Sequence, residues 1–162
     1  MNAQQKSDWT KDGAPFTDEM IGDNLGFVYR ITCLPLDRKY IGKKLFSASR
    51  KRKLACRTKG KVVEVGKKKT VRDRVESNWR DYFGSSADLL EDLKRFGKEN
   101  FKREILQLCK TKGVLAYYEL KWQMAEDALF RSDYYNGVLN IRLNRNVFPK
   151  SMLDSYDASH GQ

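Results

Sequence analysis

Two tyrosines, Tyr29 and Tyr40, stand eleven positions apart in the stretch GFVYRITCLPLDRKYIGKK, residues 26–44. Glycine and β-branched residues neighbour them, and a run of lysines and arginines follows. Near this hairpin the phenols are the side chains able to relay a proton, because the chain's one histidine, His160, lies among its last three residues. A phenol is a poor base until neighbouring cations lower its pKa, and Lys43, Lys44 and Arg50 are cations of that kind. Cys33, Cys56 and Cys109 are far apart and odd in number, which argues against a disulfide framework and, with a single histidine, excludes a Cys/His zinc module. A metal would rest on oxygen ligands and be hard, Mg²⁺ or Mn²⁺ in type.

The elements that must position these groups read as follows. Gly26 to Cys33 is a strand rich in aromatic and β-branched residues, residues 34–37 turn with Pro35 fixing φ, and 39–43 return as a second strand. With the turn centred there, residues whose numbers sum to near 70 lie opposite, placing Tyr29 across from Ile41 or Tyr40; pairing with Tyr40 puts both phenols on one face. The segment SSADLLEDLKRFG carries a helix start and stop, with Ser85 or Ser86 as N-cap and Gly97 closing. Phe101 to Cys109 is a third strand, and 115–130 a second helix with Leu115, Tyr118, Trp122, Ala125 and Leu129 at helical spacing. The expected fold class is α+β, a small three-stranded antiparallel sheet flanked by helices. Residues 1–24 read as an N-terminal extension that docks late or frays, 25–146 as the folded domain, and 147–162 as a tail.

Charge supplies the partner class. The 162 residues, 40% hydrophobic and 12% aromatic, are enough for one core, and they carry a net +11. Residues 43–80 hold 15 of the 32 lysines and arginines against three acids, so this segment, with a basic insertion at about 45–80, accounts for the whole net charge. Cations packed so densely point to a polyanion, nucleic acid first. Val62, Val63 and Val65 ahead of Gly66 suggest a short strand or hairpin inside the insertion. No apolar run approaches the roughly 18 residues that span a membrane, and the first residues show no signal-peptide core, so a soluble, cytoplasmic chain without a membrane partner is expected.

The paired FVY at 27–29 and YIG at 40–42, with Arg50 eight residues past Gly42 and Glu119 inside a late helix, resemble the motifs of the GIY-YIG nucleases. The phrases NWRDYFGSS, KENFKREILQLC and YYNG resemble a phage-encoded branch of that family, so the resemblance covers about residues 26–145. It implies a metal-dependent DNA endonuclease, in the host cytoplasm if phage-encoded. Phosphodiester hydrolysis needs a nucleophilic water, a proton acceptor, cations on the phosphate and help for the leaving oxygen. The resemblance makes Tyr29 the general base, Tyr40 the residue that orients water or phosphate, and Arg50 the cation on the equatorial oxygens. It makes Glu119 the ligand of one Mg²⁺ or Mn²⁺, against the alternative of a surface glutamate paired with Lys112 or Lys121. Gly42 would let the backbone approach phosphate; Lys43, Lys44, Lys67, Lys68, Lys69 and Arg72 would hold DNA, and Asn136 or Asn140 would bind phosphate or support the site.

Two departures leave alternatives open. Phe27 replaces the first glycine of the name motif, and Leu54 stands where the family carries a histidine four residues after the arginine, so Lys51, Lys53 or Ser85 would replace it. The insertion also leaves Arg57, Arg72 and Arg74 as candidates for the catalytic arginine. Family members usually attach a separate DNA-reading domain, so the insertion and tail, a homodimer or a partner protein would do that work. A basic binding protein without hydrolysis, in which Tyr29, Tyr40, Trp79 and Tyr82 stack on bases or fill core, and a structural protein of an RNA assembly share this composition. Geometry separates them: an enzyme needs Tyr29, Tyr40, an arginine and Glu119 on one concave face.

Overall fold

A computed structural model describes residues 8–53, 56–58, 61–63, 70–139, 146 and 148–160. The hairpin strands β3 (Gly26–Cys33) and β4 (Arg38–Leu45) pair antiparallel, and β3 also pairs antiparallel with β9 (Phe101–Cys109). The expected three-stranded antiparallel sheet is thus only part of the observed one. β1 (Trp9–Lys11) adds parallel to β9, and β2 (Ala14–Pro15) adds antiparallel to β1, giving a mixed five-stranded sheet of order β2-β1-β9-β3-β4. The extra strands form because Trp9 is fully buried: its ring meets Phe27 and Tyr29 edge-on, and its indole N–H donates to the Trp79 carbonyl at 2.9 Å.

Alternation along β3 divides the core into two layers. Phe27, Tyr29, Ile31 and Cys33 face one side, against Trp9, Phe16, Phe46, Trp79, Phe83 and Leu89 of helix α1 (Ala87–Phe96). Val28 on β3 and Ile41 on β4 face the other, under helix α2 (Lys112–Ala125) with its buried Leu115. Both faces of β3 are covered, which explains its nearly continuous apolar run. Ser86 is the N-cap of α1 and Gly97, at φ 83°, ends it. α2 stops five residues short of the expected end: Asp127 takes a left-handed φ of 50°, and Leu129 and Phe130 are exposed instead of continuing the stripe. Helix α3 (Lys150–His160) lies in the expected tail. Among the described residues no helix is long and apolar enough to cross a membrane.

The basic insertion folds as two antiparallel ladders. β5 (Ser47–Lys53) pairs with β8 (Thr70–Glu76), and β6 (Cys56–Thr58) pairs with β7 (Lys61–Val63). Val62 and Val63 do lie in a short strand. Lys67, Lys68, Lys69 and Asn140 lie outside the described residues.

Candidate active site

β4 is the edge strand of the five-stranded sheet, so its outer peptide groups need partners. Residues 133–136 supply them. The Lys39 N–H donates to Asp133 O and the Tyr135 N–H to Lys39 O, both at 2.8 Å. Asn136, 7% exposed, accepts from the Ile41 N–H at 2.9 Å and donates to the Ile41 carbonyl at 2.7 Å; Gln123 of α2 donates to that same carbonyl at 3.0 Å. No turn forms at Asn136–Gly137. Both ends of the Asn136 carboxamide are engaged on one residue, Ile41, so Asn136 holds the strand that carries Tyr40 and Gly42. Of the two uses expected for it, support of the site is the one the hydrogen bonds favour.

Beside this strap a cleft of about 480 Å³ opens, and Tyr40, Lys43, Ser85, Glu119 and Asn136 are among its lining residues. Glu119 reaches it from the middle of α2, whose cap Thr111 accepts from the Val114 N–H. Its carboxylate is paired with the Lys43 ammonium, not with Lys112 or Lys121. The Glu119 side chain is 16% exposed and Lys43 39%, so the pair sits at the cleft mouth with the carboxylate inward. Tyr40 arrives from the other face of the sheet, its hydroxyl 3.3 Å from Ser85 Oγ. Gly84 lets the chain pass Tyr40 here: it sits at φ 86°, and a Cβ would come within 2.8 Å of Leu89 and 3.2 Å of the Tyr40 ring.

Tyr29 lies one strand inward and 1% exposed. The observed register sums to 71, so Tyr29 pairs with Gly42 and Tyr40 with Ile31. Neither expected partner, Ile41 or Tyr40, faces Tyr29. The reason is the connection: Asp37 takes a left-handed φ of 48°, residues 34–37 all lie outside the ladder, and Cys33 pairs with Arg38. The phenols still share a face, as diagonal neighbours with ring centroids 6.1 Å apart. On its other side Tyr29 meets a bulge, where the β3–β9 register steps from Val28↔Gln107 to Tyr29↔Ile105 past Leu106.

The electrostatics run against the expectation that cations depress these pKa values. Burial pushes the Tyr29 phenol well above its ordinary value, and Tyr82, Tyr40 and Glu119 push it further. Burial raises Tyr40 too, with the Ser85 hydrogen bond opposing it. The expected cations are committed elsewhere. Lys43 pairs with Glu119; Lys44 sits 3.8 Å over the Tyr82 ring and donates to Asn78 at 2.7 Å, its own pKa lowered by burial. Arg50 is an exposed residue of β5 at the register position of Asp73 and, like Arg74 of β8, is not among the residues lining the cleft; the side chains of Arg57 and Arg72 lie outside the described ones. The structure therefore joins Tyr40, Glu119, Lys43 and Asn136, with Tyr29 directly beneath, and leaves Arg50 on a separate ribbon.

Sequence reasoning missed two supports. Trp9 and Tyr82 box the Tyr29 ring edge-on at 5.5 and 5.9 Å. Trp79 is 1% exposed and fills core, so it is closed to base stacking. The large aromatic in a polar arm was the one signal for Trp9.

Gly42 has a concrete steric duty. A Cβ there would lie 2.5 Å from Tyr29 Oη, 2.8 Å from its Cζ and 3.0 Å from Tyr40 Cε1, so both rings would have to move. Gly42→Ala should cost about 1–3 kcal/mol by overpacking. Because a shift of about 1 Å in reacting groups can cost on the order of 10²-fold, it should also lower cleavage well over ~10-fold. A melting curve and a plasmid-nicking assay check both; wild-type values in each would show that the phenol does not lie over this glycine.

The family described as "Putative endonuclease segE, GIY-YIG domain" matches residues 9–139. No curated protein and no solved structure matches the chain. The match begins at Trp9, the first residue of β1, and takes in the hairpin, the ribbon, the cleft and the Asn136 strap. This chain belongs to the GIY-YIG nuclease superfamily, within its SegE endonuclease family.

Proposed function

We propose that the chain is a metal-dependent DNA endonuclease whose reaction occupies the cleft at the outer edge of β4. The observation that carries this reading is the convergence there of Glu119 from one face of the sheet and Tyr40 from the other, with Tyr29 beneath Gly42. The donor set suits a hard divalent cation: the inward Glu119 carboxylate and the exposed Asp88 of α1, with the Tyr40 and Ser85 hydroxyls nearby and no imidazole or thiolate among the lining residues. The Lys43 ammonium on Glu119 stands in for such a cation. No cluster of three or more His, Cys, Asp or Glu occurs among the described residues, so Glu119 would be the protein's ligand to Mg²⁺ or Mn²⁺, with water and phosphate completing the shell. When bound, the ion would stabilise negative charge developing on the phosphate and the leaving oxygen.

The chain's own groups then have separate tasks. Tyr40, at the cleft wall, donates or accepts a hydrogen bond to water or phosphate. Lys43, released from Glu119, turns its charge to a phosphate oxygen. Tyr29 accepts the proton of the attacking water as the new P–O bond forms and the ester P–O bond breaks. Burial, with Tyr82, Tyr40 and Glu119 beside it, keeps the Tyr29 proton on in the free protein, so the phenol first releases that proton to solvent as positive charge enters the cleft, and only the phenolate then accepts water's proton.

Incubation with supercoiled plasmid tests the reading. Nicked and linear products should form with Mg²⁺ or Mn²⁺ and vanish when a chelator is added. Binding without nicking under both conditions would leave the chain a non-catalytic binder of nucleic acid.

A further inference from the structure

β5 and β8 form a seven-rung ribbon that belongs to no larger sheet. Residues alternate faces along each strand, and the register sorts them. Ser47 with Glu76, Ser49 with Arg74, Lys51 with Arg72 and Lys53 with Thr70 share one face. Ala48 with Val75, Arg50 with Asp73 and Arg52 with Val71 share the other. The first face carries four cations and three hydroxyl residues. Its one acid, Glu76 at the root, is already bonded to Arg80 and to the Trp79 indole. The second face sets a carboxylate directly across from Arg50, and three of its other four residues are apolar.

This arrangement is costly on its own. Like charges directly opposite, as Lys51 and Arg72 are, destabilise a ladder, and a lone two-stranded ribbon is marginal in water. A polyanion over that face removes the first cost and offsets the second. Seven residues at about 3.3 Å each span roughly 23 Å, less than the roughly 34 Å turn of B-DNA, whose major groove of about 12 Å admits a two-stranded ribbon.

We propose that the Lys51, Lys53, Arg72 and Arg74 face of this ribbon is the surface on which duplex DNA docks, and that the Arg50, Arg52 and Asp73 face stays off the duplex. The choice of DNA as the polyanion rests on the nuclease reading; the choice of face rests on the register alone. It replaces a diffuse basic loop with a directional arm that leads from the end of β4, beside the cleft, onto the substrate.

The test compares single neutralisations of equal charge in the full chain: Lys51→Gln and Arg72→Gln on the docking face, Arg52→Gln on the other. Affinity for a fluorescent duplex is read by anisotropy in chelator across a salt series, with a melting curve for each variant. Each docking-face change should flatten the slope of log affinity against log salt by roughly 0.9, and the pair by about twice that. Arg52→Gln should leave the slope as it is, and a single strand of equal length should bind more weakly than the duplex. Equal flattening by Arg52→Gln, an unchanged slope in the double variant, or equal affinity for the single strand would overturn the proposal. Cleavage with Mg²⁺ is measured alongside. Face-dependent binding without nicking removes the nuclease reading and leaves the docking face standing, whereas nicking with all three slopes alike does the reverse.

Discussion

Glu119→Gln should abolish divalent-dependent cleavage while duplex binding in chelator stays within a few-fold of wild type. The carboxylate is the inward member of its pair, 16% exposed at the cleft, whereas the cations available to phosphate lie mostly on the ribbon. The substitution preserves shape and removes charge, so what it deletes is the protein's ionic hold on the metal. Its structural cost should be small. The Lys43 partner is 39% exposed and can return to water, and a pair of that kind is worth about 1 kcal/mol or less. A melting temperature near wild type together with lost nicking is the expected combination. Metal binding by calorimetry on the DNA-free protein gives a readout independent of turnover, and it should weaken in step. Full nicking by the variant would remove Glu119 from the metal site.

What could be read from the sequence was local. β3 and β9 fall on the expected residues because their apolar and β-branched runs are bounded by turn formers. α1 likewise carries its own start and stop, Ser86 and Gly97. The β1 strand was illegible because it is three residues long and owes its existence to a parallel pairing with β9, more than ninety positions away. Its anchor, Trp9, is buried by tertiary packing that no local pattern announces. The register of the central hairpin slipped by one from the expected sum of 70 because Asp37 adopts a left-handed turn conformation, an option open to aspartate but not dictated by it.

The site divides the same way. Tyr29, Tyr40, Gly42 and Glu119 could be picked out through the family resemblance that their motifs carry, and the structure brings them to one edge. The environment of each could not. Sequence proximity makes Lys43 and Lys44 look like partners of the phenols, yet strand alternation sends Lys43 to Glu119 and a ring contact takes Lys44 to Tyr82. The pKa of Tyr29 is set by desolvation, which a linear string of charges cannot reveal. Arg50 illustrates the converse. Its distance from Gly42 along the chain suggested the cleft, but β4 ends at Leu45 and β5 turns away to pair with β8. The two uses expected of Asn136, binding phosphate or supporting the site, could not be told apart, because its bonds to Ile41 join positions 95 apart.

Tyr29→Phe and Tyr40→Phe should both lower nicking, and their stability effects should differ. Removing the Tyr29 hydroxyl takes away the proposed proton acceptor, so the rate should fall about 10²-fold or more. The ring keeps its box of Trp9, Tyr40 and Tyr82, so the fold survives. The lost hydroxyl is buried beside Tyr82, and its removal should cost roughly 1 kcal/mol. Tyr40 differs because its hydroxyl meets Ser85 at the exposed side of the cleft, where water replaces the partner. Tyr40→Phe should therefore melt close to wild type and still lose turnover, since the phenol lines the same cleft as Glu119. The common face makes this a joint expectation: Tyr29 pairs with Gly42, two residues along from Tyr40, and both rings meet over the glycine that has no side chain to separate them. A purely structural Tyr29 would show the melting shift with nicking intact. Near wild-type turnover in either variant would remove that tyrosine from the reaction, and if both kept it, the cleft would have to work through Glu119 and solvent alone.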